Sequence, residues 1–203
     1  MLRRLTSFGL TVNLTRKPAC TPSLIQRHFD PRLSPGEQAC AQSHLEVWES
    51  FLASNDDIIL VLEDDVQFRH DFISIVNQKL ATITRDDPEW HALFLNVSES
   101  LPTYENWMPA KQQWMAGATI YSRRGVQKLL QLFGPHTGYS YFSTDWMTWK
   151  LQESGHSYTY FPWLVVQDHN PSDIRDAARL QQVNDKMRGL LAVANYDYTS
   201  NYI

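Results

Sequence analysis

The chain has 203 residues, enough for one domain with a sizeable core, and carries 18 basic against 22 acidic side chains. That near-balance excludes the basic excess of a nucleic-acid binder. Seven tryptophans and nine tyrosines are many for this length; most are expected in a core, and the rest suit stacking on the apolar C–H faces of sugar rings.

The start, Met1-Leu2-Arg3-Arg4, is basic, but polar residues interrupt the stretch after it, so no secretory signal is expected. No apolar run approaches the ~20 residues of a membrane span, and the expected location is cytoplasmic. Cys20 and Cys40 make neither a disulfide framework nor a metal cluster; two free thiols are expected, with a single bridge left open. The sequons at Asn13 and Asn96 are of a kind common by chance and carry no argument.

Residues 15–35, rich in proline and polar groups, read as a long loop. Ser34-Pro35-Gly36-Glu37 then forms a helix start: Ser34 caps, Pro35 suits the first position, and Glu37 completes a capping box. This helix is predicted to run to about Ser54, with Cys40, Ala41, His44, Trp48 and Leu52 on its inward stripe. Asp56-Asp57 breaks it. Ile58-Ile59-Leu60-Val61-Leu62 comes next without alternation, as a central strand covered on both faces would. Further on, the pattern predicts a helix over 70–84, a strand over 92–95, a loop over 98–112 and a strand over 115–121. Ser122 is predicted to cap a helix over 123–133, and Thr144 a short helix over 145–153. A last strand is expected over 161–166, and a polar helix from Asp173. Helices alternate with strands, so the predicted class is α/β, a single domain over 1–203 with a mostly parallel central sheet flanked by helices.

The strand over 58–62 ends in Glu63-Asp64-Asp65. Side chains alternate across a strand, so Glu63 and Asp65 are expected to point one way and Asp64 the other. Anions this close repel unless a cation neutralises them. Ligands of open α/β sheets bind at the carboxyl ends of strands, and Mg²⁺ or Mn²⁺ shared with a substrate phosphate fits such oxygen ligands. A solvated acidic turn is the competing reading.

Gly36-Glu37, Cys40, Ser43-His44 and Trp48, followed by Leu60 to Asp65, resemble glycosyltransferase family 25, whose pattern is G-E-x-x-C-x-x-S-H-x-x-x-W and then an aliphatic strand ending in E-D-D. Ala118 to Gly125, and Val166-Gln167-Asp168-His169 with Ser172-Asp173-Ile174, resemble two later family segments, so the likeness covers about 34–174. The family includes lipooligosaccharide and collagen galactosyltransferases. The resemblance implies a GT-A fold, a UDP-sugar donor (galactose being the commonest sugar), a saccharide or glycan acceptor, a divalent metal and inversion at the anomeric carbon. It places Asp65 on the metal, Glu63 and Asp64 near the metal and donor ribose, and His169 as a further ligand. It leaves peripheral membrane association through a lipid-linked acceptor open.

An inverting transfer needs a general base, and Asp145, in Ser143-Thr144-Asp145-Trp146, is the candidate, with Trp146 placed to stack on the acceptor. A helix-start role for Asp145, a loop position for His169 and a structural role for His44 are the plainer alternatives. Glu37 has its capping role, and Arg123 and Arg124 stand between a diphosphate contact and a solvated position. The family's opening strand, V-I-N-L-D-R, has no clear counterpart. Arg3-Arg4-Leu5 and Phe8-Gly9-Leu10 resemble the helix and exit after it, and Val12 to Arg16 imitates it weakly. A degenerate domain that binds carbohydrate or a partner without catalysis is therefore the alternative. A Mg²⁺ phosphohydrolase lacks the downstream lysine and acidic pair it would need.

Overall fold

The structure, a computed structural model, describes residues 1–10, 13–96, 106–111, 114, 116–134, 141–167, 177–197 and 200–203. Helix α1 (Leu2–Ser7) turns at Gly9 (φ +69°), as the family-like segment Arg3 to Leu10 implies for a helix and its exit. A 3₁₀ turn at Pro22–Leu24 interrupts the long loop. Helix α2 (Pro35–Ala53) starts at the expected capping box: Ser34 accepts from the Glu37 amide, and Glu37 accepts from the Ser34 amide. Its inward face buries Ala41, His44, Leu45, Trp48 and Phe51, while Cys40 and Leu52 are half-buried.

Strand β1 (Ile58–Leu62) leads into a short β2 (Val66–Phe68), followed by α3 (Phe72–Asp86), β3 (Ala92–Phe94), β4 (Asn106–Pro109) and β5 (Ala118–Ser122). Helices α4 (Arg123–Leu132) and α5 (Thr144–Gln152), strands β6 (Ser157–Phe161) and β7 (Val165–Gln167), and α6 (Ala177–Val193) complete the order. Ser122 caps α4 as expected, accepting from the Gly125 amide. The cap of α5 is Ser143 rather than Thr144.

The α/β class holds, but the sheet is not mostly parallel. Its order is β1-β5-β3-β6-β4, and only β3 and β6 run parallel. Strand β1 is not central either; it lies at the sheet edge among the described residues, with Ile58 exposed and only Val61 fully buried. An unbroken aliphatic run does not fix strand direction or position, and β1 is only partly covered. The most deeply buried strands are β3 and β5. The expected loop over 98–112 contains β4 at the far edge, and the expected last strand divides at Pro162 into β6 and β7. β7 leaves the main sheet to pair with β2.

Alternation along the strands builds two cores. Val61, Ala92, Phe94 and Tyr121 face α2, α4, α5 and α6. Leu93, Leu95, Ala118 and Ile120 face α1, α3 and the β2–β7 ribbon. No described helix is long and apolar enough to cross a membrane.

Two substitutions test this framework. Ser34→Ala should cost about 1 kcal/mol through the lost cap. A Cβ at Gly125 would lie 2.1 Å from the His91 carbonyl oxygen, a backbone atom that cannot swing away. Gly125→Ala should therefore cost more, roughly 1–3 kcal/mol or above. Chemical denaturation should show a lower midpoint for both variants, with Gly125→Ala the lower.

Candidate functional site

Since β1, β3 and β6 point the same way and β5 runs against them, the ends of β1 and β3 meet the beginning of β5. The Glu63 amide donates to the Gly117 carbonyl at 2.8 Å, just before β5 begins. Asp65 precedes β2, whose register pairs Val66 with Gln167. That register sets the Gln167 side chain beside the acids. Its Nε2 donates to Glu63 Oε2 at 2.9 Å and lies 3.3 and 3.4 Å from the two Asp65 oxygens. Glu63 and Asp65 thus converge on one amide, while Asp64 is exposed; the three acids lie in the turn between β1 and β2, not on a strand, so the turn and not strand alternation sets their directions.

Confinement shows in the charge state. Burial first, and then the charges of Glu63 and Asp64, push the Asp65 carboxyl up to about 6, against the opposing hydrogen bond from Gln167. The amide group supplies partial positive charge at the point where a cation would sit between two carboxylates.

Helix α2 adds a third wall. His44 is buried, and its Nε2 lies 3.4 Å from Glu63 Oε1. Burial disfavours the charged ring, but Cys40 and Glu63 together outweigh that effect and raise its pKa. The reading of His44 as structural and its place in the family-like motif therefore meet: the ring packs against Trp48 at 5.7 Å between centroids and also touches an acid of the site. Ser43 has a local task, accepting from the Cys20 amide at 2.8 Å and tying the long loop to α2. Cys20 and Cys40 are both free.

Asn96 and Gly117 were not among the sequence candidates. Asn96 is 1 % exposed, and its Oδ1 accepts from the Ala118 amide at 3.0 Å. Its Nδ2 has no partner among the described residues. A Cβ at Gly117 would stand 2.9 Å from that Nδ2 and 3.2 Å from Gln167 Nε2, so glycine keeps open a space where two amide groups converge. A buried donor without an acceptor is costly unless an added group satisfies it. Only position 117 in the run Ala116-Gly117-Ala118 carried a signal for this, and glycine has many other uses.

Asp145 lies at the start of α5. Its Oδ1 accepts from the Ala116 amide at 3.0 Å, one residue before Gly117. The carboxylates of Asp145 and Glu63 both act on the buried Tyr121, whose phenol is raised chiefly by burial. The structure thus joins Asp145 to the start of β5, beside the Glu63–Asp65 cluster, without deciding its role. His169, and the further acids Asp168 and Asp173, lie outside the described residues. Arg123 and Arg124 are elsewhere. Arg123 donates to the carbonyls of Leu52, Ser54 and Asp56, closing the end of α2, and Arg124 pairs with Glu89. Neither approaches a diphosphate at the acids, because Ser122 pairs with Ile58, the other end of β1.

Two donor sets could hold a cation. Glu63 and Asp65 offer oxygen alone, which suits Mg²⁺ or Mn²⁺. Cys40, His44 and Glu63 place a sulfur, a nitrogen and an oxygen within 4.8 Å of one another, a softer set suited to Zn²⁺. The convergent carboxylates and the unpartnered Asn96 amide fit a metal together with an oxygen-rich ligand.

Residues 17–108 match the model of glycosyltransferase family 25 (LPS biosynthesis protein), a span that includes the α2 motif and Glu63-Asp64-Asp65. The likeness to glycosyltransferase family 25 is carried by this region. The chain is 24 % identical over 134 residues to procollagen galactosyltransferase 2 of Homo sapiens, covering 60 % of this chain and 21 % of that protein. It is 30 % identical over 107 residues to a glycosyltransferase 25 family member of Aedes aegypti, covering 49 % of this chain and 17 % of that protein. A third relative, inactive glycosyltransferase 25 family member 3 of Homo sapiens, is 29 % identical over 73 residues, 36 % of this chain and 12 % of that protein. The chain spans about a fifth or less of the length of these relatives.

The raised Asp65 predicts a pH signature. Its folded pKa of about 6 exceeds the ordinary 3.8. Between these values the folded state holds more proton than the unfolded state, so Asp65 lowers stability as pH rises from about 4 to 6, with no further change above. Asp65→Asn should flatten that segment of the stability profile in metal-free buffer. Mn²⁺ should raise the melting temperature of the unsubstituted protein more at pH 7.5 than at pH 5. Equal shifts at both pH values would count against a cation on this carboxylate.

Proposed function

We propose that this chain is a hexosyltransferase of GT-A type, which moves a sugar, galactose foremost, from a UDP-sugar to a saccharide or glycan acceptor with inversion. The observation that carries the reading is the convergence of Gln167 on Glu63 and Asp65, two acids within the residues that match the family 25 model, at the end of β1 and opposite the start of β5. In this reading Glu63 and Asp65 hold Mn²⁺ or Mg²⁺, Asp64 lies toward the donor ribose, and His169 is a further ligand. The Asn96 amide supplies a hydrogen bond to a donor oxygen. When bound, the metal offsets the charge that develops on the departing nucleoside diphosphate.

Asp145 is proposed as the base. It accepts the acceptor hydroxyl proton as that oxygen bonds to the anomeric carbon and the bond to the diphosphate breaks on the opposite face. The Ala116 amide donates to one carboxylate oxygen and so orients the group. A second reading, a non-catalytic carbohydrate- or partner-binding domain, is favoured by the likeness to a relative named inactive. UDP-galactose hydrolysis in the presence of Mn²⁺ separates the two readings.

Asp145→Asn keeps an oxygen to accept from Ala116 but cannot take a proton. Turnover should fall by ~10²–10⁴, with donor affinity by calorimetry within about threefold of the parent. A fall of less than tenfold would return Asp145 to its helix-start role. Asp65→Asn, in contrast, should lose both metal-dependent donor binding and transfer, and full activity in excess EDTA would overturn the metal assignment.

A further inference from the structure

Helix α5 carries more than Asp145. Trp146 and Trp149, three residues apart, fall on one helix face, and both are only half-buried. Trp149 stacks on Trp114 at 5.7 Å between centroids with planes 17° apart, and Trp114 is 37 % exposed. Trp146 lies 6.0 Å from Trp149 and 4.0 Å from Phe142. The four rings form a continuous row, Trp114–Trp149–Trp146–Phe142. The Lys150 ammonium lies over Trp146 and Trp149 at 5.2 and 5.0 Å from their centroids.

At the Phe142 end the row enters a cavity of about 310 Å³ lined by Asp30, Arg32, Leu33, Phe142, Ser143 and Trp146. That volume is near the lower bound of small-molecule sites, about 300–1,000 Å³. Arg32 donates to both oxygens of Asp30 and holds its carboxyl down to about 2, so an ion pair lines the cavity, with the Arg32 side chain 80 % exposed. Two rings of the row also return to the proposed base. Trp146 follows Asp145 in sequence, and Trp114 lies two residues before Ala116, whose amide binds Asp145.

We propose that this aromatic row and cavity bind the acceptor as an oligosaccharide, with one terminal sugar ring seated against Phe142 and Trp146 and further rings laid along Trp149 and Trp114. Pyranose rings present an apolar C–H face to an aromatic plane and hydroxyls at the edge. Burial of the first face against the rings is favourable, and the Asp30–Arg32 pair with Lys150 supplies acceptors and donors for the second. An extended polyproline peptide also docks on aromatic grooves, but it has neither hydroxyl nor N–H groups to donate to the Asp30 carboxylate. The inference rests on the transferase reading for calling this saccharide the acceptor; the binding itself does not require turnover.

The test is calorimetry of the full chain with cellotetraose, maltotetraose and β-1,4-galactotetraose, with glycerol as a non-cyclic polyol and a proline decamer as a peptide control. At least one tetrasaccharide should bind saturably. Trp149→Ala should weaken that binding at least tenfold, and Trp149→Phe less than threefold because a ring remains. Trp114→Ala, at a more exposed position, repeats the test should Trp149→Ala fail to fold. The proposal is overturned if no tetrasaccharide binds, if alanine variants with unchanged circular dichroism bind as tightly as the parent, or if only the proline decamer binds. Absence of UDP-galactose hydrolysis alongside intact tetrasaccharide binding would remove the transferase reading and leave the saccharide site standing. Hydrolysis with no tetrasaccharide binding would remove the site alone.

Discussion

Strand β5 runs against both of its neighbours, and that direction decides which parts of the chain meet. A parallel strand in its place would bring its end, Ser122, to the acids. The antiparallel strand brings its beginning, Ala116 to Ala118, and with it the amide that holds Asp145 and the glycine that leaves space beside Asn96. Ser122 is sent to the other end of β1, where it caps α4 and where Arg123 closes α2. The same pairing thus separates a framework end from a chemical end.

Electrostatics at the chemical end is unfavourable without a partner. Glu63 and Asp65 share the Gln167 amide, and Asp65 gains affinity for a proton through its burial first and the charge of Glu63 second, which the amide only partly opposes. The buried His44 ring brings a nitrogen to 3.4 Å from Glu63 from the side of α2. A site assembled this way binds cations because folding has already brought its anions together, an unfavourable step offset by two cores that cover both faces of the sheet. Glycine at 117 and the unpartnered Asn96 amide extend the same logic to a ligand with oxygen atoms.

Local features are legible wherever short-range chemistry decides them. The Ser34 capping box, the break before Ile58, the Ser122 cap and the acids after an aliphatic strand are all set by neighbours in the chain. The motif around Gly36, Cys40, His44 and Trp48 also points to the family whose model residues 17–108 match. The sheet is different. An aliphatic run fixes neither direction nor position, so β1 reads as central in a parallel sheet and is an edge strand in a mixed one. Strand β4 is hidden because Trp107 and Met108 are only half-buried and lack a strong pattern.

By itself, then, the sequence determined the starts of α2 and α4, the acids that follow β1 and the likeness of residues 17–108 to glycosyltransferase family 25. Only the tertiary structure decided that Gln167 bridges those acids, that His44 touches Glu63, that Asn96 and Gly117 face the same space, and that Trp114 stacks on Trp149. The reason is range. Caps, breaks and alternation act over a few residues and leave a local trace. Gln167 stands 104 positions from Glu63, and strand register, which no local pattern encodes, is what brings the two together.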